Sequence, residues 1–313
     1  MIRRFCLAFA FVLALTAPSS ARAQTDTARA RPDTGVTHVL RLRDGSTLMG
    51  RLLARDSTTL QFATSGGVLS IPATSVLDIR TVGAHDMHAG EYWFPDANRT
   101  RLFFAPTGRM LEKGEGYYSN TYLLLQNFVG APSDNFTFGG GFSVVPSDDF
   151  LTNNVYYITP KVGLYASPKL NAAVGALVGF SPIDDGNAFG ILYGVATRGG
   201  PDASATAGIG YAFGGGSFAD HPLLMLGGSS RASRRIAFVT ENYAYFNDDE
   251  RCTYQNNPPY NYNCTNKTNM HALLSYGLRF MGEKISTDFA FFNSTQAGFL
   301  FPGIPYIAFA VKF

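Results

Sequence analysis

Residues 270–280, MHALLSYGLRF, decide how the chain is read. At a period of two, Met270, Ala272, Leu274, Tyr276, Leu278 and Phe280 share one face. His271, Leu273, Ser275, Gly277 and Arg279 share the other. A strand separates these sets, and a helix would mix them. The larger apolar and aromatic residues crowd one face, and small or polar residues make up most of the opposite one. A water-soluble sandwich keeps its polar residues outside and its large ones within, whereas a strand in a bilayer wall does the reverse.

The pattern repeats on both sides of this stretch. In 189–196, Phe189, Ile191, Tyr193 and Val195 oppose Gly190, Leu192, Gly194 and Ala196, and the aromatic set is expected to face lipid. In 204–213, Ala205, Ala207, Ile209, Tyr211 and Phe213 oppose Thr206, Gly208, Gly210 and Ala212. The whole chain is 46% hydrophobic, 14% aromatic and 15% charged, below the roughly 25% charge of an ordinary soluble domain. Mean hydropathy is +0.01, which excludes a bundle of membrane-spanning helices. The expected fold is all-β: a transmembrane antiparallel up-and-down barrel of about twelve strands over residues 101–313, with a count between ten and twelve.

Topology follows from the connections. Working back from Phe313, brief polar or Gly/Pro-rich turns fall at 281–284, 229–235, 198–202, 167–169 and 130–135. The alternating, longer connections fall at 293–304, 246–269, 214–221, 181–186 and 146–154. The first strand is expected at TRLFFAPTGRM (100–110), with LEKGEG as its loop. The chain ends in YIAFAVKF, where Ile307, Phe309, Val311 and Phe313 read as lipid-facing and as an assembly signal for the barrel-assembly machinery. This last strand is expected to close the ring against residues 101–110.

The N-terminus carries Arg3 and Arg4, the apolar run FCLAFAFVLALTA and the small-residue site ARA, the layout of a cleaved secretory signal over residues 1–23. An apolar run of about 13 residues is too short to span a bilayer as a helix. Losing Arg3, Arg4 and Arg22 takes the basic count from 25 to 22 against 23 acidic residues, so the net charge moves from +2 to −1. Nothing in that balance implies a nucleic-acid partner. Cys6 leaves with the signal, and the remaining pair, Cys252 and Cys264, is expected to form a disulfide in an outer loop.

Residues 24–36 read as a flexible lead and 83–100 as a linker holding the sole tryptophan, Trp93. Between them, residues 37–82 show short alternating runs separated by Asp44-Gly45, Arg55-Asp56 and Gly66-Gly67, the marks of a tight meander. Leu42, Asp44, Gly45, Gly50, Leu52, Asp56, Leu60 and Ile79 resemble the strand core of the Sm-like small barrels. The resemblance implies a small Sm-like or SH3-like β-barrel module, in this chain a periplasmic spacer or a site for a periplasmic protein partner. RNA binding, which that family often shows, lacks a basic and aromatic platform here. The stretch 98–142, from Asn98 to Phe142, also resembles a segment of uncharacterised bacterial outer-membrane barrel proteins, which implies a fold and no activity.

No catalytic constellation emerges. His271 and Ser275 share the inner face but stand about 13 Å apart along a strand, too far for a nucleophile and its base. His85, Asp86 and His88 form a weak metal pattern in the linker, and the glycine runs at 138–142 and 213–217 open no helix. No cofactor or metal is expected. Lys161, Arg279 and Asp288 point inward as candidate lumen charges, serving either as a selectivity constriction or as an interior ion-pair network. The expected function is an outer-membrane barrel, either a small-solute pore or a structural envelope protein, with membrane lipid as its surroundings. The alternatives are a surface binder acting through loop 246–269, with Tyr254, Tyr260 and Tyr262 as contacts, and a lipid-modifying enzyme.

Overall fold

The computed structural model describes residues 36–83, 86–89, 91–146, 149, 152–182, 187–254 and 262–313. The signal sequence, nearly all of the lead, His85 and Tyr260 lie outside the described residues. The chain divides into two compact units, Met1–Ala84 and His85–Phe313.

In the first unit, β1 (His38–Leu42), β2 (Thr47–Arg55), β3 (Thr59–Thr64), β4 (Gly67–Pro72) and β5 (Val76–Thr81) form an antiparallel sheet in the order β4-β3-β2-β1-β5. Leu40, Leu60, Phe62 and Ile71 make its buried core, with Leu42, Leu48, Leu52, Val76 and Ile79 packed around them. The turn glycine Gly45 has φ +89°, a conformation costly for other residues. A Cβ on Gly50 would lie 2.0 Å from the Ala63 carbonyl oxygen, so β2 and β3 cross there without room for a side chain.

Asp56 fixes the β2–β3 turn. Its carboxylate accepts the backbone N–H of Thr58 and of Thr59, both at 2.7 Å, and both hydroxyls at 2.8 and 2.9 Å. These bonds, the Thr58 N–H foremost, hold the carboxyl well below the usual carboxylate range. A depressed folded pKa contributes stability above the unfolded value of about 4, and that contribution is lost as pH falls through the folded one. Hydrogen exchange across the 56–60 turn, corrected for intrinsic rates, will therefore lose protection on acidification below about pH 4. Asp56→Asn will lower protection at neutral pH and flatten the acid dependence.

The second unit opens with a two-residue pair, β6 (Met87–His88) and β7 (Glu91–Tyr92). Its wall begins only at β8 (Gly116–Thr121), followed by β9 (Leu125–Ser133), β10 (Phe136–Ser143), and β11 (Tyr156–Ile158) with β12 (Lys161–Ala166) as two halves of one strand. Then come β13 (Leu170–Phe180), β14 (Ala188–Gly199), β15 (Ala203–Gly214) with the short β16 (Ser217–Phe218), and β17 (Leu223–Arg231). The long pair β18 (Ile236–Tyr254) and β19 (Tyr262–Met281) leads to β20 (Ile285–Ser294) and β21 (Ile304–Lys312). Each pairs antiparallel with the next, and β21 returns to β8, so twelve strand positions close a barrel.

Closure corrects one expectation. The last strand pairs Val311 with Tyr118 and Ala308 with Thr121, not with residues 101–110. The count of twelve stands because the expected second strand is two strands, joined at 122–124. Most of the connection 246–269 is strand as well: β18 and β19 stay in register as a ribbon as far as Tyr254 and Tyr262. The disulfide pairs Cys252 with Cys264 across that ribbon.

Exposure assigns the faces. On β19, Leu274, Tyr276 and Phe280 are exposed while Ser275 and Arg279 are buried, and on β15 Ile209 and Tyr211 face out while Thr206 faces in. On β14 the expectation is reversed. Val195 is buried and Tyr193 packs on the interior cluster, whereas Leu192 is exposed. The cause is small-to-large packing across the β13–β14 pair. A Cβ on Gly175 would sit 2.4 Å from the Tyr193 hydroxyl, and one on Gly179 would sit 2.7 Å from Phe189 Cζ. Glycines on β13 open space that the β14 side chains fill.

Candidate functional site

The segment expected to be the first strand lies inside the barrel. Leu102, Phe103 and Ala105 are buried in one cluster with the wall residues Ala173, Val195, Met225, Val239, Ala290, Phe292, Tyr306 and Ala308. Locally it is a hairpin: Arg101 bridges to Pro106, Leu102 N–H donates to Ala105 C=O at 2.8 Å, and Thr107 N–H donates to Thr100 C=O at 2.9 Å. Pro106 and Gly108 explain why 100–110 makes no wall strand, since proline cannot donate to a central ladder. Gly108 lies close against the wall, where a Cβ would meet the Asn171 carbonyl oxygen at 2.2 Å. A Cβ on Gly227 would meet Leu102 Cδ1 at 2.4 Å.

A hairpin threaded through a barrel carries backbone groups that need partners away from water. Three wall charges supply them. Glu241 of β18 is fully buried, and its Oε2 accepts the N–H groups of Phe103, Phe104 and Ala105 at 2.7, 3.0 and 2.9 Å. Its Oε1 accepts the Tyr243 hydroxyl at 2.7 Å. One carboxylate thus caps the hairpin tip, as an acidic residue caps a helix N-terminus.

Arg279 and Asp288 are register partners on β19 and β20, both buried. The guanidinium grips Asp288 twice, through Nε at 2.7 Å and Nη2 at 3.0 Å. Its remaining N–H groups go to the inserted segment: Asp96 Oδ2 at 2.9 Å, Asn98 C=O at 3.2 Å and Leu102 C=O at 2.6 Å. All five guanidinium donors are thereby occupied. On the far wall, Lys161 of β12 donates to the carbonyls of Thr100, Thr107 and Arg109 at 3.4, 3.1 and 2.7 Å, which uses its three protons. Thr197 accepts the Gly108 N–H at 2.8 Å, and the Tyr306 hydroxyl donates to Phe103 C=O at 3.2 Å.

The entry to the lumen is tied at the end that carries Phe313. Arg99 pairs with Glu115 at 2.7 Å, and Glu115 pairs with Lys312. His88 stacks on Trp93 with ring centroids 3.9 Å apart and meets Asp202 at 2.9 Å. Arg231 lies 5.0 Å from the centre of the Trp93 ring and donates to the Phe94 carbonyl at 3.0 Å. His88 is thus held by ring stacking on Trp93 and a contact with the Asp202 carboxylate. Among the described residues, no group of three His, Cys, Asp or Glu side chains could hold a metal.

Of the residues singled out in the sequence, Lys161, Arg279 and Asp288 converge on the inserted hairpin, while His271 and Ser275 stay on one strand apart from it. Ile307 and Phe313 point outward at 51% and 68% exposure, and Phe309 and Val311 share their phase. Glu241 was missed. Its phase, shared with Ala237, Val239 and Tyr243, was the available signal, because an acid on that face of a spanning strand needs an interior partner.

No family model matches the chain, and no curated protein sequence matches it. Among solved structures, it is similar to a KdgM porin in complex with disordered oligogalacturonate, at 8% identity over 63% of this chain and 95% of that one, TM-score 0.38. It is also similar to OmpT, an outer-membrane protein of Vibrio cholerae, at 10% identity over 88% of this chain and 93% of that one, TM-score 0.33. A loop-deletion form of the same protein matches at 9% identity over 89% and 96%, also with TM-score 0.33. The fold stands on the strand pairing itself: a closed twelve-stranded barrel of the outer-membrane type, its lumen filled by residues from the chain's own N-terminal side.

Proposed function

We propose that this chain is an outer-membrane barrel held closed at rest, with residues 94–111 as a built-in plug, serving as an envelope protein rather than a standing small-solute pore. The observation that carries the reading is the full occupation of Arg279, which leaves no guanidinium donor for a passing solute. Twelve strands enclose more room than the eight that side chains alone can fill, so a plug is what such a ring needs to exclude water. An even strand count returns the N-terminal side of the unit to the end that bears Phe313, which supports a periplasmic location for residues 37–82. The strand order β4-β3-β2-β1-β5 supports reading those residues as an Sm-like module, and a protein partner in the periplasm is the role we assign to it. Export by the 1–23 signal and assembly through the terminal Ile307, Phe309, Val311 and Phe313 belong to the same proposal.

Planar-bilayer recording tests it. The full chain is expected to give no stepwise conductance, and a variant lacking residues 96–110 is expected to give discrete steps. Regular steps from the intact chain would overturn the closed reading.

A further inference from the structure

The wall is far lower on one side than on the other. β8 has 6 residues, whereas β18 and β19 have 19 and 20. A tilted strand needs about 9–11 residues to cross the hydrocarbon. Six residues rise about 20 Å along the strand and less along the bilayer normal once tilted. The β8–β9 turn therefore ends below the outer surface of the membrane.

The side chains there agree. Tyr122, Leu123 and Leu124 are exposed, Leu123 at 73%. The turn holds Tyr122 at φ +56° and Leu123 at φ +64°, and Leu124 N–H donates to Thr121 C=O at 3.0 Å. Two successive positive φ values are the province of Asn-Gly, and bulky apolar residues hold them only at a cost. The neighbouring β20–β21 connection turns outward: Pro302 C=O accepts the lipid-facing Tyr276 hydroxyl at 2.6 Å, and Phe299, Leu300 and Phe301 are exposed. Apolar tips of this kind suit lipid, not water.

Aromatic rings lead from that low edge into the lumen. Tyr122 meets Tyr306 at 5.6 Å between ring centres, and Tyr306 meets Phe104 of the plug tip at 4.9 Å. Phe104 is 47% exposed although it sits in the lumen, and Phe189, on the inward phase of β14, is also exposed. Ile191, Leu223 and Leu273 share the inward phases of their strands. A water-filled lumen is polar as a rule. Here the inward positions nearest the plug tip include these apolar side chains, with Tyr245 and His271 farther along β18 and β19.

We propose that the space above Phe104 is a binding site for a single-chain amphiphile, whose alkyl chain enters sideways from the outer leaflet over the 122–124 turn. The 122–124 turn itself spans one hairpin, about 10 Å at the spacing of neighbouring strands, which suits one chain passing over it rather than a double-chain lipid. The inference rests on the plugged lumen, which supplies the floor of the site and stops passage to the far side.

The test uses the full chain in phosphatidylcholine vesicles with dibromostearate as quencher. In a W93F background, F104W reports the interior, I191W serves as a second interior reporter, and L226W reports the lipid-facing surface. Both interior reporters should lose emission along a saturable curve, while L226W declines only in proportion to probe in the membrane. Phosphatidylcholine with brominated chains should quench L226W and spare the interior. The double variant Y122N/L123G, with residues this turn favours, should slow interior quenching about tenfold and leave its end point unchanged. Interior curves that run parallel to L226W, or interior quenching by the brominated phospholipid, would overturn the site, and an unchanged rate in Y122N/L123G would overturn the sideways route. Conductance is a separate readout, so a conducting chain with saturable quenching would indict the closed reading alone.

Discussion

Replacing Glu241 with Ala is expected to unseat the plug and turn a silent barrel into a conducting one. The carboxylate satisfies three consecutive backbone donors at the hairpin tip and a tyrosine hydroxyl. A buried donor left unpaired costs about 1–3 kcal/mol, so three of them at the low end shift plug occupancy by a factor on the order of a hundred. Glu241→Gln keeps one of the two acceptor oxygens and should fall between wild type and Ala. The expected order of open probability in a planar bilayer is wild type, Gln, Ala. An Ala variant as silent as wild type, while folded by its gel mobility, would remove Glu241 from the role assigned to it.

The second large effect belongs to Arg279. Arg279→Met strands Asp288 at 1% side-chain exposure and Asp96 at 14%. Removing one partner of a buried pair costs about 3–5 kcal/mol, whereas replacing both with apolar residues is often close to neutral. The single variant should therefore convert from folded to unfolded gel mobility at a temperature lower by on the order of 10 °C. Adding Asp288→Leu should recover more than half of that loss, because Asp96 lies nearer the mouth and can be reached by water. Equal destabilisation in the single and double variants would mean that the pair matters for packing, not for charge.

The barrel was legible because strands such as 270–280 and 204–213 sort their residues by face in a way no soluble sheet needs. The short turns were legible through Gly, Pro and charge. The plug was not, although its residues carry a warning. Leu102, Phe103, Phe104 and Ala105 are apolar in sequence without alternation, and Pro106 and Gly108 follow at once. Period-two reading treats such a run as a poor strand, but only the interior of the finished ring shows where it can be buried. The reversed face of β14 has a related origin. Tyr193 and Phe189 look fit for lipid until Gly175 and Gly179, on a different strand, are seen to make room for them inside. Inward Lys161, Arg279 and Asp288 could be picked out by phase, yet their common partner lay in a segment assigned to the wall.

The plug also bears on how the ring reaches its circumference. Residues 94–111 precede every wall strand in the chain, and they bond to wall residues 52 to 203 positions away, from Arg109 with Lys161 to Phe103 with Tyr306. Bonds reach them from Lys161, Thr197, Glu241, Arg279, Asp288 and Tyr306, which lie on six different strand positions around the ring. The hairpin therefore acts as a mandrel: a sheet curled around it gains these bonds only at one girth. Eleven strands would crush it and thirteen would leave its carbonyls and N–H groups facing empty space. In this chain the tenant of the lumen sets the size of the house.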